Sequence, residues 1–435
     1  MELYSTYSIK IKRYNSIFLQ SVDLYRKAVD YFIQVCLQEW DSLKQIKGVK
    51  TVNAVEALTI RTKNRPEVKY DFSQKFYKFP SYLRRNAIAE AIGKTSSYMS
   101  NLENYNKGTA TGRPGLPRAG KIYPVLYKEN CFVREDDYTA KIKVYMRNTW
   151  DWLTVSLRKS DADYIIRHCS EAEECSPALL KRGKEWFLAF PFKEKAELEE
   201  KEIMEQTVLA VDLGINSACV CTVMRPDGTV MGREFLRLPV EKDRLNKAVN
   251  RIKKAQQHGN RRTPRLWGRA DGINDDIAVK TAAFIIEKAE EYAVDVIVFE
   301  HLELQGRKRG SKKQKLHLWK AKYVQEMVKH KAHRKGIRVR RVNAWGTSRL
   351  AYDGSGSVER GIDGNYSVCR FQSGKVYNCD LNASYNIGAR YYIREIIKSL
   401  PETGRLATEA KVPQCTRRST CTLSTLISLY AAVAV

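Results

Sequence analysis

The sequence has few acidic residues for its size, no long apolar run and no Cys-x-x-Cys pair. None of its ten cysteines stands in a Cys-x-x-Cys pair, which disfavours a zinc ribbon or a redox motif of the usual spacing. No secretory signal opens the chain, so reduced thiols and a cytoplasmic location are expected. The late apolar run, 423–435, is too short and too interrupted to span a membrane, and we expect it to pack on the protein or to be disordered.

Positive charge is what the sequence has in excess. Lys and Arg number 76 against 49 Asp and Glu, which makes a formal net charge of +27. A surplus of this size repels itself in a compact chain unless a polyanion binds to it. An acidic membrane surface, or simply a basic protein, would also fit the charge. The 24 Tyr and 7 Trp favour nucleic acid, because aromatic rings stack on bases.

The length of 435 residues predicts two or three domains. Residues 1–20 and 113–205 have strand-like patterns, whereas the apolar residues of 21–112 recur at helical spacing. A Gly- and Pro-containing segment, 107–117, predicts a linker between the helical part and the second β-rich part. Within that β-rich part the strands are expected at 121–127, 140–145, 150–157 and 185–192.

Three acidic residues stand at the ends of predicted elements in the second half. Val208–Asp212 and Val294–Glu300 are mostly apolar strands that end in a carboxylate, and Asp380 opens a predicted last helix. Acids at the ends of neighbouring strands meet at one edge of a sheet, where two Mg²⁺ or Mn²⁺ ions would relieve their repulsion and activate water. Each acid alone could instead be a turn residue or a helix cap. Glu303 also follows the second strand and fits the pattern as well as Glu300 does.

Three short motifs together resemble the TnpB family of transposon-associated, RNA-guided DNA nucleases, which are related to the type V CRISPR effectors. The motifs are Ala-Val-Asp-Leu-Gly-Ile-Asn at 210–216, Val-Phe-Glu-His-Leu at 298–302 and Asn-Cys-Asp-Leu-Asn-Ala-Ser-Tyr-Asn-Ile at 378–387. The last of them is the most specific. By position, Asp212, Glu300 and Asp380 match the family's three catalytic, metal-binding RuvC carboxylates.

The resemblance covers the second half well, and in the first half it rests on architecture. It implies an α/β fold, with an RNase H-like RuvC nuclease domain and an N-terminal, β-barrel-like wedge domain that carries a helical recognition-lobe insertion. On this expectation the chain divides into a wedge domain (1–20 and 113–205), a recognition lobe (21–112), a nuclease domain (206–342 and 376–398), a degenerate, zinc-free insertion that binds target nucleic acid (343–375) and a C-terminal tail (399–435).

The resemblance also implies an RNA-guided DNA endonuclease that hydrolyses phosphodiester bonds with two metal ions. A bound non-coding guide RNA would select target DNA beside a short target-adjacent motif. We expect no membrane partner, a prokaryotic cytosol or nucleoid as location, and a monomer rather than an oligomer. A non-cleaving transposition accessory factor or repressor is the main alternative, and a DNA-strand transferase is another. The intact acids favour cleavage, whereas transposon-encoded and CRISPR-associated origins both stay open.

The insertion at 343–375 departs from the family pattern, in which a four-cysteine zinc site follows a Thr-Ser dipeptide. Thr347 and Ser348 supply the dipeptide. The expected ligand positions hold Ala351, Gly354, Cys369 and Gln372. One thiolate cannot hold tetrahedral zinc, so we expect no zinc. The glycines and serines of this segment predict a mobile loop near the active site.

Two basic runs contain almost no acids. Residues 242–269 hold ten Lys or Arg and one acid, and residues 306–341 hold fifteen and one. Such runs are commonly solvated surface, but the near absence of opposite charge favours the walls of a nucleic-acid channel. The residues expected to contact nucleic acid are Arg251, Lys254, Arg261, Arg262, Arg265, Lys308, Arg309, Lys312, Lys313 and Lys320.

Overall fold

The computed structural model divides the chain into two compact units, residues 2–194 and residues 195–435 together with Met1. It describes residues 1–13, 16–110, 112–214, 217–260, 262–302, 319–362, 364–417 and 419–433. Lys308, Arg309, Lys312 and Lys313 therefore lie outside the described residues, as do Arg261 and the alternative acid Glu303.

The first unit combines a helical part with short antiparallel strands. Helix α1 forms because its apolar residues recur at helical spacing, and the predicted positions from Val22 to Cys36 are buried in it. The helices are α1 (Ile17–Gln38), α2 (Trp40–Leu43), α3 (Val49–Thr59), α4 (Ser81–Asn106) and α5 (Lys159–Cys169). The strands are β1 (Glu2–Lys10), β2 (Phe132–Asp136), β3 (Thr139–Met146), β4 (Thr149–Ser156), β5 (Glu173–Glu174), β6 (Ala178–Arg182) and β7 (Glu185–Lys195).

The strands of the first unit do not close into the expected barrel. Among the described residues they form two sheets, one in the order β1-β7-β5 with β6 also paired to β7, and one in the order β2-β3-β4. The sheets are linked by isolated bridges such as that between Ile11 and Leu157, and a single bridge does not continue a ladder around a barrel.

Two further predictions for this unit were wrong. The expected strand at 121–127 is not a strand, because Pro124 has no N–H to give to a ladder and only Val125 forms a bridge there. The β-rich pattern also missed helix α5, which buries Ala162, Ile165 and Cys169 at helical spacing.

The second unit contains a five-stranded mixed sheet with helices on its faces. A turn of 3-10 helix at Ile203–Glu205 precedes it. Its strands are β8 (Val208–Leu213), β9 (Cys219–Met224), β10 (Val230–Leu236), β11 (Val296–His301) and β12 (Arg338–Asn343). The strand order is β10-β9-β8-β11-β12. Strands β8, β9 and β10 are antiparallel neighbours, whereas β11 runs parallel to both β8 and β12.

Helices and a small second sheet complete this unit. The helices are α6 (Pro239–Gln257), α7 (Pro264–Glu291), α8 (Ala321–Arg334), α9 (Cys379–Ser399), α10 (Glu402–Lys411) and α11 (Leu423–Val433), with a 3-10 turn at Pro413–Thr416. The small sheet has the order β13-β14-β15, formed by β13 (Glu359–Ile362), β14 (Asn365–Arg370) and β15 (Val376–Asn378). Helix α9 is thus not the last helix, and the apolar run near the C-terminus packs on it as α11.

Side chains of β8 and β11 point alternately to the two faces of the sheet, and each face packs into a separate hydrophobic core. Val208, Ala210, Val296 and Val298 face α9 and the C-terminal helices. Their odd-numbered neighbours face α7 and α8 on the other side of the sheet. Because side chains alternate along a strand, the next even positions, Asp212 and Glu300, belong to the face that carries α9. No helix within the described ranges is both long enough and apolar enough to cross a membrane.

Candidate active site

The three predicted acids meet at one edge of the five-stranded sheet. Strands β8 and β11 are parallel and in register up to the pair Val211 and Phe299, and Asp212 and Glu300 follow this pair on adjacent strands. Asp380 lies in the first turn of α9, which packs on β8 and β11. All three side chains are partly exposed, so this edge is open to a ligand.

None of the three acids has the role of a turn residue or a helix cap. Asp212 is paired with Val220 inside the ladder of β8 and β9, and Glu300 is paired with Val342 of β12. The N-cap of α9 is Asn378, whose side-chain oxygen accepts a hydrogen bond of 2.9 Å from the backbone N–H of Leu381. The simple structural explanations for these acids are therefore excluded.

Electrostatics couple the acids. Burial raises the pKa of Asp212 well above its usual range, and the negative charges of Glu300 and Asp380 raise it further. Burial also raises the pKa of Glu300, against the hydrogen bond from Thr347 and the positive charge of Arg390, which both lower it. Carboxylates in this situation repel one another, and a cation among them would relieve the repulsion.

Thr347 holds Glu300 in place. The hydroxyl of Thr347 donates to a carboxylate oxygen of Glu300, and the side chain of Thr347 is only 2% exposed. The backbone carbonyl of Thr347 in turn accepts a hydrogen bond of 2.9 Å from the amide of Asn386. The Thr-Ser dipeptide, noted in the sequence only as a marker of the insertion, thus supports the active-site edge.

One face of α9 fastens the loop that contains Thr347. Asn382 and Asn386 both donate to the carbonyl of Leu350, at 2.9 and 2.8 Å, and Asn382 also accepts from the N–H of Tyr352 at 2.8 Å. One turn further on, the buried guanidinium of Arg390 donates to the carbonyls of Asn343, Trp345, Ser419 and Cys421. The spacing of these polar residues, four apart, is the sequence signal that would have placed them on one face.

The carboxylates suit a hard divalent cation by their chemistry. Oxygen ligands of this kind are the ones that Mg²⁺ and Mn²⁺ prefer. Asp212, Glu300 and Asp380 are neighbours, but among the described residues no three His, Cys, Asp or Glu side chains stand in a ready-formed metal cage. Their carboxylates would therefore have to draw together around an ion.

Comparison with known proteins identifies the family. The model of the Aq_aa04 family matches residues 5–146, and that of the Cas12f1-like TNB domain matches residues 322–387. A TnpB-like protein of Aquifex aeolicus (strain VF5), aq_aa05, is 31% identical over 238 residues, which is 48% of this chain and 76% of that protein. The chain belongs to the TnpB family. The uncharacterized protein aq_aa04 of the same bacterium is 29% identical over 145 residues, 28% of this chain and 82% of that protein.

A solved structure shares the fold of this TnpB-family chain. Cas12f1, in the cryo-EM structure of its complex with sgRNA and target DNA, is 14% identical with a TM-score of 0.55. The match covers 86% of this chain and 81% of Cas12f1. At this level of identity the likeness shows a common mixed α/β fold.

The region matched by the TNB-domain model is held together by an apolar cluster. Ala351, Cys369, Phe371 and Cys379 are buried against one another, and the rings of Tyr352 and Tyr377 pack beside them. Two of these residues occupy positions where the TnpB pattern has zinc ligands. The prediction of a mobile loop was wrong for this part of the chain, because β13, β14 and β15 pair into a sheet around that cluster.

Arg360 is a residue of the site that the sequence did not reveal. It lies on β13, and its Nε donates to the sulfur of Cys379 at 3.4 Å while Nη1 donates to the hydroxyl of Ser348 at 3.5 Å. Its charge lowers the pKa of Asp212, and the charge of Asp380 contributes to a raised pKa of Arg360 itself. No spacing or motif signalled this arginine, because the fold of the insertion brings it to the acids.

The predicted nucleic-acid contacts lie on two kinds of surface. Arg251 and Lys254 are exposed on α6, Arg262 is exposed between α6 and α7, and Arg265 is exposed in the first turn of α7. No ion pair between described residues involves these four. Lys320 instead contacts two acids of α7, Asp271 at 2.9 Å and Asp275. Its charge is thus partly neutralised inside the protein.

Proposed function

We propose that this TnpB-family chain is an RNA-guided DNA endonuclease whose RuvC-like site cleaves target DNA with two divalent metal ions. The single observation that carries the proposal is that Asp212, Glu300 and Asp380 lie together on one face and at one edge of the sheet, where burial and the charges of the other two acids raise the pKa of Asp212. The order and directions of the five strands are those expected of an RNase H-like domain.

The three carboxylates would hold the metal ions, Mg²⁺ or Mn²⁺. When bound, the ions would activate water as the nucleophile and would stabilise the charge on the attacked phosphate. Glu300 is kept in orientation by Thr347, which itself is fixed by Asn386. The chain's own contribution would therefore be three oxygen ligands at an open edge, one of which, Glu300, is held in orientation by its neighbours.

Arg360 would act on the phosphate side of the same site. A guanidinium can bind a phosphate through two parallel hydrogen bonds, and Arg360 already lies close enough to Asp212 and Asp380 to affect their electrostatics. We infer that it balances the charge of the acids and turns to the scissile phosphate when DNA is bound.

Guide RNA and target DNA are the proposed partners. The net charge of +27 and the exposed cations of α6 support a polyanionic partner. Cas12f1, which shares the fold, has been solved with sgRNA and target DNA. Sequence selection by base pairing, with a target-adjacent motif read by the protein, is inferred for this chain by analogy.

The test starts from the RNA that co-purifies with the full-length protein. After this RNA has been sequenced, DNA that matches its guide segment and carries randomised flanks is incubated with the complex and Mg²⁺. Wild type should cut the matching DNA, whereas Asp212→Ala and Glu300→Ala should reduce cleavage about a thousandfold or more and leave target binding intact.

Glu326→Gln is the matched control. Glu326 is an exposed acid that pairs with Arg341 at 2.7 Å on the surface, so its loss should leave cleavage unchanged. Cleavage by Asp212→Ala or Glu300→Ala at the wild-type rate would remove that residue from the site. Target binding by wild type without any cutting, in either metal, would favour the non-cleaving accessory factor.

A further inference from the structure

Trp345 is a large aromatic side chain that the fold presents to solvent. It follows strand β12 and is 61% exposed, although burying such a ring would stabilise the protein. Gly346 comes next with a φ of +71°, a backbone conformation that favours glycine. After this turn the side chain of Thr347 is buried, so one short loop directs the indole outward and the threonine inward.

The backbone that carries Trp345 is held on both sides. Its N–H donates to the side-chain oxygen of Asn343 at 2.8 Å, and its carbonyl accepts from the buried guanidinium of Arg390 at 2.7 Å. Two residues later Thr347 is bonded to Glu300. The indole is thus an exposed ring on a fixed base, and not the end of a loose loop.

The position of this ring is tied to the active-site edge. Strand β12 pairs with β11 in register, with Val342 beside Glu300 and Asn343 beside His301. Trp345 follows only two residues after that last pair, and the same loop supplies the hydroxyl that orients Glu300. A group bound on the indole would therefore lie close to the acids.

The charge around Trp345 selects the kind of ligand. Residues 338–352 contain four arginines and no Asp or Glu. Arg338 is buried and Arg341 pairs with Glu326, but Arg340 and Arg349 are exposed and no ion pair between described residues involves them. An exposed aromatic ring near exposed arginines is a combination that binds single-stranded nucleic acid, by stacking a base and attracting the phosphates. An acidic protein surface would also be attracted by the arginines, but its binding would not require an exposed aromatic ring.

The geometry points to Trp345 as a stacking platform for a base of single-stranded DNA next to the phosphate to be cut. The inference rests on the proposed nuclease function and adds a contact to it. The platform holds one nucleotide of the strand by its base, which places the neighbouring phosphate at the carboxylates without reading sequence, because every base has a π-face.

The experiment measures stacking without needing cleavage. Full-length protein carrying Asp212→Ala is mixed with a thymidine pentanucleotide that has 2-aminopurine at its centre, whose fluorescence falls when the base stacks. We expect quenching with Trp345 present. The double variant with Asp212→Ala and Trp345→Ala should show no quenching, and it should bind the pentanucleotide about 5- to 150-fold more weakly. Trp345→Phe should retain most of both, and Trp345→Leu should lose the quenching although it is apolar.

Leu406→Ala is the matched control, since Leu406 is 58% exposed on α10 of the same unit. Unchanged quenching in Trp345→Ala, or equal weakening by Leu406→Ala, would overturn the platform. Stronger quenching of the same pentanucleotide made as RNA would assign the ring to RNA and also overturn it. If no variant at Trp345 affects DNA but Trp345→Ala loses a bound protein, the ring belongs to a protein interface. Wild type that quenches the probe but never cuts DNA would instead refute the proposed function.

Discussion

At the residue scale, the site consists of acids whose charge is costly and of neighbours that limit the cost. Asp212 and Glu300 are only partly exposed, so burial favours their neutral forms. Thr347 and Arg390 favour the charged form of Glu300, and Arg360 favours the charged form of Asp212. In the proposed metal site, a bound cation would favour the charged forms that the protein alone disfavours.

The raised pKa of Asp212 predicts how stability changes with pH. Below about pH 3.8, the ordinary value, the carboxyl is protonated in both the folded and the unfolded chain. Above it the unfolded chain loses the proton first, so the metal-free protein loses stability as pH rises towards the raised pKa. Asp212→Asn should therefore melt at a higher temperature than wild type at pH 7 without metal, and added Mg²⁺ should narrow the difference.

Asp353→Asn is the control of opposite sign for that measurement. Burial alone would raise the pKa of Asp353. Hydrogen bonds from Ser355 and Ser373 have the opposite and larger combined effect, so the pKa of Asp353 lies below its ordinary value. Its charged form stabilises the fold above its unfolded pKa and stops doing so as pH falls. Asp353→Asn should thus lower the melting temperature at pH 7. If Asp212→Asn behaves in the same way, the repulsion among the acids is not as described.

The hydrogen bond from Thr347 to Glu300 leads to a prediction about metal binding. Thr347→Val keeps the shape but removes the hydroxyl that donates to Glu300. Hydrogen bonds to charged groups contribute about 1.5–3 kcal/mol, so Mn²⁺ binding to the protein should weaken about 10- to 150-fold, and cleavage with it. Thr347→Ser should restore both, whereas Thr420→Val, which removes an exposed hydroxyl bonded to Arg417, should change neither. Full Mn²⁺ affinity in Thr347→Val would leave Thr347 with a packing role only.

At the element scale, helix α9 organises the second unit. It packs on β8, β9 and α11, and its polar face holds the loop behind the acids. Gly388 allows this close approach: a Cβ there would lie 2.5 Å from the sulfur of Met224 and 3.2 Å from the Cβ of Ala210. The segment after α9 is also structural, because Leu423, Leu426 and Leu429 are buried in the same core.

Gly388→Ala tests this packing. The added methyl group meets Met224 and the small Ala210 of β8, so we expect a loss of about 1–3 kcal/mol in stability and a lower melting temperature. Gly272→Ala is the matched control, since Gly272 lies in helix α7 and a methyl group added there would meet nothing within 4 Å. That change should stabilise the protein by about 0.4–1 kcal/mol. Equal effects of the two substitutions would mean that α9 does not lie as close to β8 as described.

At the scale of the whole molecule, the cations that make up the net charge of +27 differ in whether an acid pairs with them. Some cations are paired, as Lys320 is with two acids of α7. Others, including Arg251 and Arg262, are exposed and have no ion pair with another described residue. Only the second kind is available to release counterions when nucleic acid binds.

Replacing Arg251, Lys254, Arg262 and Arg265 together with glutamine should therefore flatten the dependence of log affinity for nucleic acid on log salt. Each phosphate that is no longer neutralised takes about 0.7–0.9 from the slope. Preference among target sequences should hardly change. The matched set is Lys280→Gln with Lys335→Gln, whose charges are already paired with Glu241 and Glu290. If the salt dependence has the same slope in both sets of variants, the four exposed cations do not contact nucleic acid and are ordinary solvated surface.

The sequence by itself determined the parts that depend on local periodicity. Continuous apolar runs mark β8 and β11 as buried strands that end in acids, whereas the register between the two strands decides that Asp212 and Glu300 share a face. Helical spacing likewise located α1, α6 and the start of α9. These patterns are readable without coordinates because residues two, three or four positions apart already share a side of their element.

Only the tertiary structure decided which groups support the acids. Thr347 and Glu300 are 47 residues apart in the chain, and Asn382 and Tyr352 are 30 apart. Arg360 reaches the site because β13 pairs with β14, and the two sheets of the first unit stay separate because isolated bridges alone join them. Contacts of this kind arise from the packing of elements distant in sequence, so no local pattern of side chains encodes them.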